Sequence, residues 1–143
     1  MLYTQVKGRK VVSTGTAETV GRVADLVIDP RSHTVVAVTV RGSGHGDTVL
    51  WSDITAFGTD AVTVPDGEVV KDANHAVKEL SGKAHDVLGK RVLTTLGEAL
   101  GSVSDVEFDP ESGAVNALVL PSGDVAGSRL VGVGPYAAIV HAG

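Results

Sequence analysis

The residue types most capable of chemistry in this chain are its recurring carboxylates. Asp25 and Asp29 lie four residues apart, and Asp105 and Asp109 repeat the pair 80 residues later. Paired carboxylates can relay a proton or hold a hard cation. Each pair, however, runs into a turn dipeptide, Asp29-Pro30 or Asp109-Pro110. Recurrence at equivalent places therefore predicts bulge and turn capping, in which the carboxylates accept backbone N–H groups. A calcium loop would also need a central glycine and a terminal glutamate, and that spacing is missing. The five histidines, His33, His45, His75, His85 and His141, form no i,i+4 pair and no short ligand spacing. Without cysteine there is no thiolate metal site, thiol nucleophile or disulfide. No Gly-x-Ser-x-Gly elbow occurs. Gly42 to Asp47 is glycine-rich but lacks the Lys-Ser/Thr ending and following helix of a phosphate cradle. The expectation is a chain that is not an enzyme and carries no cofactor.

Recognition chemistry is the alternative use of the remaining distinctive residues. Trp51 is the sole tryptophan, expected to fill a core or barrel mouth, with an interface anchor as the other reading. Gly42 to Asp47 and Pro121 to Ser128 are expected to be equivalent long mobile loops, either solvated tips or recognition elements. From these features Trp51, His45, Asp47, Asp124 and Tyr136 form the candidate partner-binding set.

The elements that must position these residues are duplicated. Gly21-Arg22-Val23-Ala24-Asp25-Leu26-Val27-Ile28-Asp29-Pro30 returns as Gly101-Ser102-Val103-Ser104-Asp105-Val106-Glu107-Phe108-Asp109-Pro110, at an offset of 80. Upstream, Gly8 to Thr14 matches Gly89 to Thr95 at 81, the slip falling in the turn after Thr14. Valine-rich segments predict strands over residues 10–14, 20–29, 34–40 and 61–64. Asp-Pro-x-Ser supplies the turn between the second and third, with His33 in the left-handed place held by Gly113. Inward-facing residues switch parity between Val23 and Leu26, and between Val103 and Val106. A side-chain period of two switches only with an extra residue, so a β-bulge is expected near Ala24-Asp25 and Ser104-Asp105. Ala73, Ala76, Val77 and Leu80 fall at helical spacing, predicting a short linker helix over 72–80 with Asp72 as N-cap and Gly82 as stop.

The fold class expected is mostly β: two tandem antiparallel β-barrel-like units related by a pseudo-twofold, with a short linker helix. The units span 1–64 and 87–143, joined by a linker over 65–86. A unit of this size buries only about 60% of its unfolded surface, so the two should complete each other's cores. A net charge of -5 and five aromatic residues argue against nucleic-acid binding. No stretch approaches the roughly 20 apolar residues of a spanning helix. No membrane insertion and a cytoplasmic location are expected.

The quoted Gly-x-Val-x-Asp-Val/Leu-x-x-Asp-Pro pattern, the following Val-x-Ala-x-x-Val, and Trp51-Ser52-Asp53-Ile54 together resemble the PRC-barrel family. This fold is named for the H subunit of photosynthetic reaction centres and is shared with the C-terminal domain of a ribosome maturation factor. The resemblance covers residues 1 to 64 and 83 to 143. It departs where Leu50 to Gly58 is set against Leu130 to Ala138, so divergence is expected where the barrel closes, freeing one face for a partner. The resemblance implies a non-catalytic interaction or adaptor module docking on a larger complex through a protein partner. The alternative is a small-molecule or metal-binding protein using the cleft between the repeats. Pairing of edge strands into a homodimer is a third reading.

Overall fold

The computed structural model describes the backbone of residues 1–143 and every side chain except that of Lys83. The first half opens with α1 (Tyr3–Val6) and continues through β1 (Lys10–Ser13), β2 (Thr19–Asp29), β3 (Thr34–Arg41), β4 (Thr48–Leu50), β5 (Ala56–Phe57) and β6 (Ala61–Val64). After α2 (His75–Leu80), the second half runs β7 (Arg91–Thr94), β8 (Ala99–Ser102), β9 (Asp105–Phe108), β10 (Val115–Leu120), β11 (Gly123–Ala126), β12 (Leu130–Val133) and β13 (Ala138–Val140). The first half forms one sheet in the order β4-β3-β2-β1-β6-β5, whereas the second forms two, β11-β10-β9 and β12-β13-β7-β8. Mostly β, tandem and curled, the molecule has the architecture expected of the duplicated sequence.

The curl comes from bulges at duplicated positions. Val23 pairs with Val40 and Asp25 with Thr39, leaving Ala24 as the extra residue inferred from the parity switch. In the second half the same point is a break: β8 ends at Ser102 and β9 begins at Asp105. Here Ser104 turns both its N–H and its hydroxyl onto the Val119 carbonyl, each at 2.8 Å. An equivalent strand is thus divided between two sheets. Further bulges recur at Val20 and Leu100, and at Val36 and Asn116.

Closure is preserved in both halves and is parallel. β1 lies beside β6 with Val11 opposite Val62, and β7 beside β13 with Val92 opposite Ala138. The expected divergence at closure is therefore corrected: the halves align here at an offset of 76, not 80. Trp51–Asp53 and Gly127–Arg129 form equivalent 3-10 turns directly after β4 and β11. The four-residue difference lies in the preceding connection. Gly42 to Asp47 links β3 to β4, but only Pro121 and Ser122 separate β10 from β11. The second of the two expected long loops is a tight hairpin.

Gly127 fits the Trp51 position for a packing reason. A Cβ there would fall inside the van der Waals envelope of the Val115 carbonyl, so the turn lies directly on β10. At Trp51 the turn stands off and the indole lies flat on Phe57, with ring centroids 5.1 Å apart.

The linker helix is real but begins later than expected. Asn74, not Asp72, is its N-cap, and its side chain accepts the Val77 N–H at 2.9 Å. Gly82, at φ 89, lies past its C-terminal end. Val77 packs into a small separate core with Val27 and Ala37 on the outer face of β2 and β3. Helix α1 was not foreseen; it buries Tyr3 and Val6 one turn apart.

One hydrophobic core runs through both halves, from Tyr3 and Val6 through Phe57 and Phe108 to Val140. Phe57 meets Phe108 edge-on across the divide, at 5.5 Å and 76°. The pseudo-twofold is visible in one reciprocal pair of hydrogen bonds. Val35 N–H donates to Gly113 O, and Val115 N–H donates to His33 O, both at 2.8 Å. His33 holds the left-handed conformation at φ 58, matching φ 81 at Gly113.

The leading segments of the halves are exchanged. Residues 1–4 lie on β9: Leu2 bridges Glu107, Met1 and Phe108 trade two backbone hydrogen bonds, and Thr4 caps onto Asp105. Leading into the second half, Leu80 packs on Val27 and Ala37, and Ser81, Gly82, His85 and Asp86 border one cleft with Asp25 and Leu26 of β2.

Candidate functional site

The acidic pairs do structural work. Asp29 Oδ1 accepts the Arg31 N–H at 2.9 Å; Asp109 Oδ1 accepts those of Glu111 and Ser112 at 2.8 and 3.3 Å. These backbone donors hold the Asp109 carboxyl below its ordinary value. Asp105 receives the Thr4 N–H and hydroxyl at 3.1 and 2.5 Å. Asp25 receives the Tyr3 hydroxyl at 2.9 Å and pairs with Lys7 at 3.3 Å, while Asp86 reaches the same phenol at 3.4 Å. Burial, with Asp86 and Asp25 nearby, pushes the Tyr3 phenol far up, so it stays protonated as a donor. Among the described residues no group of three metal-ligating side chains converges. No described helix is long and apolar enough to cross a membrane.

The candidate partner-binding residues do not form one cluster. Trp51 is half-buried and lines a 410 Å³ cleft with Ile54, Phe57, Pro110 and Glu111, where the two halves meet. His45 is exposed on the β3–β4 loop, its Nε2 2.9 Å from Gly67 O. Asp47, on the same loop, accepts the Thr48 hydroxyl and donates its backbone N–H to Lys71 O. Asp124 is exposed in β11. Tyr136 is 68% exposed, with the Arg91 guanidinium donating to its hydroxyl and lying 5.2 Å from its ring centroid.

What distinguishes these places is the state of the sheet edges, which carry unpaired N–H and C=O groups unless something covers them. On β12, the His33 ring donates to Leu130 O at 2.9 Å and the His85 ring to Val133 O at 3.0 Å. Next to β5, Arg9 donates to Gly58 O at 2.7 Å. The exchanged leading segment covers β9. Ser122 Oγ donates to Leu100 O of β8 at 3.1 Å. The outer edge of β4 is covered by the linker, where Lys71 bridges Thr48 antiparallel: Thr48 N–H reaches Lys71 O at 2.8 Å and Lys71 N–H returns to Thr48 O at 2.9 Å.

The equivalent of β4 is β11, and its outer edge is bare. Thr48 lies opposite Thr39, and Asp124 lies opposite Val119, at the same point of the ladder. Leu120 and Gly123 flank a two-residue hairpin turn and form a hydrogen-bonded pair, so the next pair, Val119 and Asp124, is not hydrogen-bonded. Asp124 therefore turns its N–H and C=O away from β10, as Thr48 turns its own toward Lys71. Among the described residues nothing bonds to that side of β11. The glycines beside the two edges report the same contrast. A Cβ on Gly46 would lie 2.7 Å from the Lys71 backbone, whereas one on Gly123 would meet nothing within 4 Å.

Sequence reasoning included Asp124 but missed the edge that gives it meaning. The signal available was in the linker, where the extended Val70 and Lys71 follow the first half.

The PRC-barrel domain family matches the chain twice, over residues 1–77 and 81–143. Comparison with curated proteins gives no match.

Proposed function

Because the chain belongs to the PRC-barrel family, with two copies of the domain, we propose that it is a non-catalytic docking module that recruits a protein partner by strand addition to β11. In this reading residues 1–64 and 87–143 are the structural units, and 65–86 both joins them and seals one edge. The observation that carries the proposal is the contrast between equivalent strands, β4 covered by Lys71 and β11 uncovered. An uncovered strand offers main-chain hydrogen bonds to any extended segment, and neighbouring side chains select among them. The acidic pairs are engaged in turns and caps, which supports binding over catalysis.

A photo-crosslinking residue at the exposed Ser128, just past β11, tests this in lysate of the source cell. The expected result is a discrete adduct, absent when the crosslinker stands at the exposed Glu18 of the β1–β2 turn and lost on Asp124→Pro. Proline removes the outward N–H while leaving the β10 ladder bonds intact. Equal adducts from both positions, or adducts indifferent to Asp124→Pro, overturn it.

A second reading rests on the 410 Å³ cleft beside Trp51, which could take a small ligand between the halves. A thermal-shift response to a small-molecule panel that vanishes on Trp51→Ala would favour it.

A further inference from the structure

The covered edge of the first half describes what the uncovered edge of the second is built to take. Beside β4 the linker makes a 3-10 turn over Gly67–Val69 and then pairs with the strand at Lys71. Gly67 lies over Val20, with a Cβ position 3.3 Å from that side chain. Val70 drops into the core at 1% exposure. Lys71 then pairs antiparallel with Thr48, its own side chain exposed. Two parts of this seat, Val20 and Thr48, have counterparts in the second half. Leu100 replaces Val20 at the repeated bulge and is partly exposed. The β10–β11 turn stands beside it, tied by Ser122 to Leu100 O. Asp124 replaces Thr48.

The Thr48-to-Asp124 exchange sets the sign of the occupant. Thr48 is buried beneath the linker, whereas Asp124 is exposed and is the only charged residue of β11. Opposite charges directly across a strand pair attract, and like charges repel. A second copy of this chain pairing through β11 would bring two Asp124 carboxylates to one edge, in a molecule already at net charge -5. A cation in the Lys71 position meets Asp124 instead.

Resting on the docking reading above, we propose that the β11 edge binds an extended segment of another protein, antiparallel to β11. Its signature is a lysine or arginine opposite Asp124, preceded by a tight turn that sets a small residue over Leu100.

The probe is a synthetic peptide with the sequence of residues 65–73 carrying Asp72→Lys, titrated into the isotopically labelled full chain and followed by amide NMR shifts. Saturable shifts at Gly123 to Ala126 and Leu100 are expected. A peptide that also carries Lys71→Glu should bind at least tenfold more weakly, and Asp124→Lys in the protein should reverse that preference. Asp124→Pro should abolish the shifts, and the Asp124→Lys chain keeps the test informative if the proline variant fails to fold. Shifts confined to β4, no saturation at millimolar peptide, or indifference to the charge exchange overturn the proposed occupant. So does a concentration-dependent dimer of the chain alone that dissociates on Asp124→Pro, which assigns the edge to a second copy. These failures are distinct from those of the docking reading, which falls if the Ser128 and Glu18 adducts are equal or if the Ser128 adducts ignore Asp124→Pro.

Discussion

Gly127 and Trp51 occupy one structural position with opposite demands. Adding a methyl group at Gly127 drives it into the Val115 carbonyl, and overpacking of this kind costs about 1–3 kcal/mol. Gly127→Ala should therefore lower the unfolding free energy from chemical denaturation by an amount in that range, whereas Gly132→Ala, with open space around it, should change it little. Tyr3 acts through its proton. Its phenol is raised by burial and by Asp86 and Asp25, while in the unfolded chain it ionises at the ordinary tyrosine value of 10.0. The stability this group contributes is complete below that pH and is lost as pH climbs above it, because only the unfolded chain then releases the proton. Tyr3→Phe should flatten the alkaline side of the stability profile, measured by denaturant unfolding from pH 8 upward. At neutral pH the variant should cost about 1–2 kcal/mol for leaving the carboxylates without their donor.

Individual elements show which signals a sequence carries. The Ala24 bulge was legible because a period-two pattern cannot change parity silently, and His33 was legible because its partner position holds Gly113. The linker helix was legible in its apolar spacing but not in its start, since Asp72 and Asn74 are both good caps. Only geometry places the Asn74 carbonyl on the Val77 N–H. Asn74→Ala should cost about 1 kcal/mol. Because α2 packs on a small core of its own, that loss should appear as roughly fivefold faster hydrogen exchange confined to its amides. Helix α1 left little trace, being a single turn stabilised by what it packs against, including the Asp105 carboxylate from the other half. The β11 edge was equally hidden. An uncovered strand is a property of what lies beside it, and local spacing does not encode that.

At the scale of the whole molecule, the two halves behave as one folding unit. Their core is continuous, each leading segment lies on the opposite half, and a reciprocal hydrogen-bond pair joins them at His33 and Gly113. Neither half should be stable alone, given how little surface a domain of about 60 residues buries. Residues 81–143 expressed in isolation should show no cooperative thermal transition, and equimolar addition of residues 1–77 should restore one. Two independent transitions for the separate halves would contradict the shared core. Duplication was easy to read from the repeated Gly-x-Val-x-Asp pattern. The crossing of the leading segments was not, because a repeat reveals equivalence and leaves open which copy each segment packs upon.

On the proposed docking at β11, Lys71 on β4 also sets how many guests the molecule would hold. A symmetric pair of such barrels would present two identical edges and could link successive partners into a chain. With one of the two plugged by its own linker, docking at β11 would be univalent, and any complex formed there should stop at one-to-one.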